Sequence, residues 1–451
     1  MPGLYLSLSM AARSLEAQRA GLDAAGQNIA NLNTPGYSRR QVQLAEVVFG
    51  AGGVEVLGTR ALRDAVLDAR MRSAIPAESR ESAVLGSLSL VETSIGAPGQ
   101  GLDARLSAFF DSWSALSADP TSPPTRDAVV LQGRQLATAF NDLSSQLSSS
   151  ARLADAGVRG AIGEVNTLSA KIASLNDQIA TAGGANVEAL RDQQHLAIEQ
   201  LSALTQVSVL TRKDGGVDVT IPSGRALVIG GSSYQVEVGT GANGYATLTL
   251  NNQDVTGEFT TGKIGGLGYA RDTAIPGYLA QLDDLAYQVA QQVNTLHQTG
   301  TDLDGNPGVA FFTPPAGVAG AARLLAMNPA VVANSNRVAA SQSGAPGDNG
   351  IARSMAALRD ALTSSGGTAT FTQAFSQLAY AVGADVDTAR AQQQSTQATA
   401  AEVEKLRDQV SGVSLDEEAA NMLKFQRAYE ANAKYFTVID SALQTLMSLV
   451  G

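Results

Sequence analysis

Asp302, Asp304 and Asn306 alternate like the first oxygen ligands of a calcium-binding loop. Such a loop needs Gly at its sixth position and a bidentate Glu at its twelfth. Here those positions hold Pro307 and Thr313, so the spacing predicts a turn. Gly239, Gly241 and Gly244 spell GxGxxG, which cradles a dinucleotide only where it follows a strand and opens a helix. The residues that follow, YATLTL, read as another strand, and the glycines read as a hairpin loop. His195, in the polar run RDQQHLAIEQ, and His297, near a helix end, are the only histidines. Neither has metal-ligand spacing, and both read as solvated or locally bonded. No GxSxG elbow supports a Ser-His-Asp site. Asp283-Asp284 and Glu417-Glu418 are adjacent acids on helices, where neighbours do not face one another. There is no Cys, which removes thiolate ligands, disulfides and Cys nucleophiles together. The expectation is a chain without catalytic residues, metal or cofactor, and not an enzyme.

The elements that carry these residues are mostly helical. Residues 4–33 form one amphipathic pattern with Leu8, Leu15, Leu22 and Ile29 seven apart, and Ala11, Ala25 and Leu32 near the companion positions. This is a heptad seam. Thr34-Pro35-Gly36 stops it, because the residue before proline is pushed out of helical geometry. Residues 38–57 read as extended, broken by Gly50, Gly52 and Gly53. Residues 60–204 read as helical: Leu102, Leu106, Phe109, Trp113 and Leu116 make one apolar face, and further helices are predicted at about 126–150, 152–182 and 187–204. From residue 205 the period changes to short alternating runs separated by KDGG, PSGR, GGSS and NNQD, which predict a small antiparallel β unit over about 205–270. Helix returns at 273–299, again at about 350–363, and from about 371 to the end with a break near Ser411-Gly412. In the last stretch Leu415, Met422, Tyr429, Phe436, Leu443 and Val450 are seven apart. Phe425, Ile439 and Leu446 fill the second seam position, and Asn432 interrupts it.

The fold class is therefore mainly α with a β insert: terminal heptad helices pairing as a coiled coil, a helical bundle domain, and a small antiparallel β domain in the middle. The expected divisions are 1–45 and 411–451 as the two halves of the coiled coil, 46–204 and 273–410 as the helical domain, and 205–272 as the insert. A length of 451 residues agrees with more than one domain.

Net charge is −11 and no Lys/Arg block occurs, which argues against nucleic acid as a partner. The start MPGLYLSLSM lacks the basic region, apolar run and cleavage site of a secretory signal. No apolar stretch approaches the ~18 residues of a membrane span. The chain is expected either in the cytoplasm or exported without a cleaved signal.

Both ends need a partner. About ten apolar side chains of the last helix would contribute roughly 15–30 kcal/mol if fully buried. An isolated helix cannot bury them, and ordering its backbone costs ~1–2 kcal/mol per residue. The partner could be the other end, another copy or another protein. The expectation favoured is two rods kept apart in the lone subunit and buried together only on assembly.

GQNIANLNTPGYSRR (26–40) resembles the N-terminal signature of the rod, hook and hook-associated proteins of the bacterial flagellum. Within that family, Gly36-Tyr37-Ser38-Arg39 looks most like the hook-associated protein 1 branch. SGVSLDEEAANMLKFQRAYEANAKYFTVIDSALQTLMSLVG (411–451) resembles the C-terminal segment of the same branch along its whole length. The resemblance implies a structural component of the hook–filament junction that assembles axially after type III export, and an extracellular place in the flagellum. The implied partners are copies of itself, hook protein, the second junction protein, and a cytoplasmic export chaperone at the C-terminal segment. It implies assembly contacts at Leu8, Leu15, Leu22, Asn28, Ile29, Asn31, Leu32, Pro35, Gly36 and Tyr37. It implies assembly or chaperone contacts at Leu415, Met422, Phe425, Tyr429, Phe436, Ile439, Leu443, Leu446 and Val450. Local capping is the alternative role for Asn28 and Asn31, since Asn bonds nearby backbone. The rival readings are another axial protein (hook, rod or second junction protein) and an axial scaffold carrying a hydrolase.

Overall fold

The computed structural model describes residues 2–47, 52–97, 99–182, 186–345, 347–364 and 366–450, apart from the side chains of Pro2, Asn186, Leu449 and Val450. Gly50, read as a breaker of the extended segment, falls outside these residues, as does the Val450 side chain.

Helix α1 (Pro2–Ala30) leads into the hairpin β1 (Arg40–Glu46) and β2 (Val54–Ala61), then α2 (Ala65–Ile95), α3 (Leu102–Ala118), α4 (Pro123–Thr181) and α5 (Asn186–Leu204). Seven short strands follow: β3 (Ser208–Thr211), β4 (Val217–Thr220), β5 (Ala226–Ile229), β6 (Ser232–Ser233), β7 (Val236–Thr240), β8 (Ala246–Leu250) and β9 (Gln253–Asp254). Helices α6 (Gly262–Tyr269) and α7 (Ile275–Gln298) come next, joined by a π-helical turn at Ala270–Ala274. After them run α8 (Ala321–Leu324), α9 (Pro329–Ala333), α10 (Gly350–Ala357), α11 (Phe371–Ser411) and α12 (Leu415–Val450).

Helix α4 is the spine. It opens with Pro123-Pro124 after Ser122, where prolines cost no hydrogen bond. It then runs unbroken through Ala151, where the sequence pattern suggested two helices. Its first half enters one interior cluster and its second half another, so an apolar face is present throughout. The first cluster holds Phe109, Phe110, Trp113, Phe140, Phe311, Phe312 and Phe371. Aromatics are only 5% of the chain, and this core concentrates them. Phe311 and Phe312 meet edge to face at 5.1 Å, and Trp113 lies 5.5 Å from Phe311.

The second cluster joins Val158, Ile162, Val165 and Ile172 of α4 to Ile198 and Leu201 of α5 and to Val219, Leu227, Leu248 and Leu250 of the strands. The strands of the expected β insert form two antiparallel sheets, ordered β3-β4-β5-β6 and β7-β8-β9. The division falls at residues 234–235, between β6 and β7. The GxGxxG segment is the β7–β8 hairpin: Thr240 faces Ala246, and the Gly241 amide donates to Tyr245 O at 2.8 Å. A buried ion pair locks this region to the spine. Asp155 on α4 accepts from Arg271 in the π turn at 2.6 Å and from the Ala246 amide at 2.7 Å.

The Asp302 loop is a turn. Its carboxylate accepts from the Asp304 and Asn306 amides at 3.0 and 2.8 Å and pairs with Arg337 at 3.2 Å. His297, expected to be solvated or locally bonded, is not solvated: it is fully buried beside Trp113 and Phe311 and bonded to backbone. Its Nδ1 donates to Val309 O, and its Nε2 accepts from the Ala339 amide at 2.9 Å. Burial holds it neutral, with a pKa down to about 4. Asp283 is likewise engaged, accepting from the amides of Gly320 and Ala322 at the start of α8.

Candidate functional site: the terminal helix pair and its joint

Helices α1 and α12 pack on one another along their lengths. Asn28 meets Glu418, Gly21 meets Phe425, and Ala11 clusters with Ile439 and Leu443. Rising numbers on one helix meet falling numbers on the other, so the pair is antiparallel. The hairpin lies along a second side of α1. Its Gly53 passes so close to Met10 that a Cβ there would come within 3.1 Å of Met10 Cγ. The rods are thus together in the single chain, whereas the sequence reading held them apart. They pair with each other, however, and do not sink into the two main cores.

The joint between this pair and the body is polar. Asn28 is buried and satisfies both ends of its amide. Its Nδ2 donates to Arg40 O and to Glu418 Oε2, each at 3.0 Å. Its Oδ1 accepts from Arg40 N at 2.8 Å and from the Tyr37 hydroxyl at 2.9 Å. Arg39 grips Glu418 and Glu417, each at 2.7 Å. Its backbone amide donates to Ser411 O at 2.9 Å, tying the hairpin to the end of α11. Arg40 reaches Asp192 of α5 at 2.9 Å, and Arg63 pairs with the same carboxylate. Glu188 accepts from the Ala61 amide at 3.1 Å. Burial raises the Tyr37 hydroxyl above its usual range, so it stays a donor to Asn28. Beside the joint opens a cleft of about 680 Å³ lined by Thr34, Tyr37, Arg39, His195, Arg407 and Ser411. His195 is half-buried there, and burial and then the positive charge of Arg63, Arg72, Arg191 and Arg407 depress its pKa to about 3.

The predicted residues separate into groups. Ile439 and Leu443 are buried in the small core of the pair, with Leu8 and Phe436 packed against it. Leu15, Leu22, Ile29, Met422 and Phe425 are half-buried. Tyr429 and Leu446 are exposed. Leu415 is exposed, because α12 begins there and Glu418, one turn on, is the first side chain to turn inward. Leu32, Pro35 and Gly36 are exposed in the turn after α1. There the Tyr37 amide donates to Thr34 O at 3.1 Å, and Gly36 takes φ +77°, the left-handed value glycine favours. Asn31 caps locally: it donates to Gln27 O at 2.9 Å and accepts from Thr34.

Sequence reasoning put Ala11 and Ala25 near the seam but missed Ala17, Gly21 and Ala24. Besides Asn28, the buried positions of α1 are Ala11, Ala17, Gly21, Ala24 and Ala25, and the leucines flank them. The α1 face is covered by a helix and a hairpin at once, and small side chains permit that approach. It also took Glu417 and Glu418 only as adjacent acids on a helix, whereas Glu418 is buried against Asn28 and Arg39. Among the described residues no group of three or more His, Asp or Glu is placed to hold a metal, and no helix is long and apolar enough to cross a membrane.

Comparison with known proteins agrees with this anatomy. The helical domain of the flagellar hook-associated protein FlgK matches residues 88–312. The flagella basal body rod protein family matches 8–37, and the C-terminal region of the flagellar basal body rod FlgEFG proteins matches 408–449. Flagellar hook-associated protein 1 of Bacillus subtilis is 27% identical over 505 aligned residues, covering 100% of this chain and 99% of that protein. The Escherichia coli K12 protein of the same name is 26% identical over 68% of this chain, a match that spans 59% of that relative. The structure of the flagellar hook junction protein FlgK from Burkholderia pseudomallei superimposes with a TM-score of 0.67 at 16% identity, over 76% of this chain and 100% of that one, a likeness of fold. With matches to both ends, to the helical middle and to a relative over its full length, the chain belongs to the flagellar hook-associated protein 1 family.

Proposed function

We propose that this flagellar structural protein forms the junction between hook and filament and assembles axially through the α1–α12 pair after type III export. One observation carries the reading. The pair stands clear of both main cores yet keeps large apolar side chains in solvent: Val438 is 66% exposed, Met447 64% and Leu423 57%. A finished surface rarely keeps such a face, whereas a subunit awaiting neighbours needs one. Contacts that do not close on themselves propagate as a helical tube. The partners on this reading are copies of itself, hook protein and the second junction protein, with an export chaperone on α12 before assembly. The site is extracellular, and the role is mechanical and not enzymatic.

The organisation that goes with it places 1–45 and 411–451 innermost, 46–204 with 273–410 as the surrounding helical domain, and 205–272 outermost. Rod-family matches at both ends favour another axial position as the second reading. The test is deletion of residues 415–451. The body should stay soluble, and filament attachment in cells should be lost. Retained attachment would overturn the reading.

A further inference from the structure

A heptad coil has a registry problem. Met422, Tyr429, Phe436 and Leu443 recur every seven residues, so sliding α12 by one repeat presents α1 with a nearly equivalent seam. One contact breaks this equivalence. Gly21 of α1 is buried under the ring of Phe425, so closely that a Cβ on Gly21 would lie 2.6 Å from both Cδ1 and Cε1. Real Cβ contacts do not come that near, so the ring occupies the space a side chain would fill. One heptad before Gly21 stands Ser14 and one heptad after stands Asn28. Ser14 is small, but the clash begins at Cβ, which both residues carry. Neither leaves a notch.

We infer that Gly21 is a positioning residue whose missing side chain receives Phe425 and fixes the register of the terminal helix pair. A slip by one repeat drives Phe425 against the Cβ of Ser14 or Asn28, and it also separates Asn28 from Glu418, bonded at 3.0 Å. The steric notch and the polar pair thus select the same alignment. That alignment sets where along α1 the outward apolar residues of α12 stand, Val438 and Met447 among them. Only this last consequence rests on the assembly reading; the register itself is a property of the single chain.

The chain has no Cys, so introduced pairs report register directly. In the full chain, Ala11→Cys with Ile439→Cys joins two residues of one buried cluster and should form a disulfide readily. Gln18→Cys with Ile439→Cys reports the slip of one heptad that sets residue 425 opposite Asn28, and it should stay largely reduced. Adding Gly21→Val should lower the native cross-link about tenfold through overpacking. Adding Phe425→Ala to that chain should restore it, which a general loss of stability would not allow. Phe425→Ala alone should raise the Gln18–Ile439 cross-link, and this arm serves if the valine variant does not fold. An unchanged native cross-link in Gly21→Val, absence of rescue, or an unchanged slip cross-link in Phe425→Ala would each overturn the inference. None of these readouts uses flagella, so their failure would leave the proposed function standing.

Discussion

The side-chain amide of Asn28 donates to Glu418 Oε2 at 3.0 Å, joining the end of the first helix to the start of the last. Both residues are buried, and Glu418 is also held by Arg39. Replacing Glu418 with Ala strands the Asn28 donor and half of the Arg39 guanidinium. Leaving a buried donor unmet typically costs ~1–3 kcal/mol. Glu418→Ala should therefore loosen the joint without unfolding the body. Hydrogen exchange should accelerate in the first turns of α12 and in residues 28–40, with α3 and α4 unchanged. Uniform protection as in the parent would contradict this account of the joint.

Surface and interior apolar residues should behave in opposite ways. Val438→Asp, at a side chain 66% exposed in the single chain, should change stability by no more than ~0.5 kcal/mol. It should nevertheless abolish self-association. Thermal melting and sedimentation separate the two effects. A large drop in Tm, or unchanged association, would count against Val438 as an assembly contact.

Phe311 is fully buried among Phe109, Trp113, Phe312 and His297. Phe311→Ala should cost ~3–5 kcal/mol through lost burial and the cavity left behind. The single Trp reports the result, since its emission should shift to the red at the same temperature as the main loss of helix. A loss below ~1 kcal/mol would mean the aromatic cluster can collapse around the gap.

Acid should destabilise the fold before most carboxylates titrate. An unfolded histidine titrates near 6.5, whereas burial holds His297 down to about 4. Between these values the unfolded chain binds the additional proton. The contribution is complete above pH ~6.5 and is lost as the pH falls toward 4, by roughly 3 kcal/mol. His195, depressed to about 3, acts with the same sign but is half-buried and contributes less. Asp68 and Glu199, raised by burial, oppose the trend at the lower end. His297→Gln should flatten the slope of unfolding free energy between pH 6.5 and 4.5, whatever its effect on absolute stability. An unchanged slope would contradict the buried neutral imidazole.

The fold was legible where the period is long and the punctuation strong. The heptads at Leu8–Ile29 and Met422–Leu443, the switch to alternating strands after residue 205, and the break at Ser411-Gly412 all appear as elements. The site was less legible, for physical reasons. Apolar pattern draws attention to Leu15 and Leu22, but Ala17, Gly21 and Ala24 are buried, and their value lies in what they lack. Gly21 inside a heptad helix was the available signal. Glu418 could not be told from Glu417, since their difference comes from Arg39 and Asn28 nearly four hundred residues away. α4 was read as two helices because nothing local shows one apolar face feeding two cores. His297 is buried by Phe311, Trp113 and the Ala339 amide, which arrive from other parts of the chain.

The claim at the centre is that this chain occupies a single zone of the flagellum, held there by its terminal helices. Immunogold labelling of purified flagella with antibody against the β3–β9 region addresses it directly. Gold should collect in one narrow band where hook meets filament, and the band should vanish in cells whose only copy lacks residues 415–451. Gold spread along the hook, the rod or the filament, or a band that survives the deletion, would contradict it.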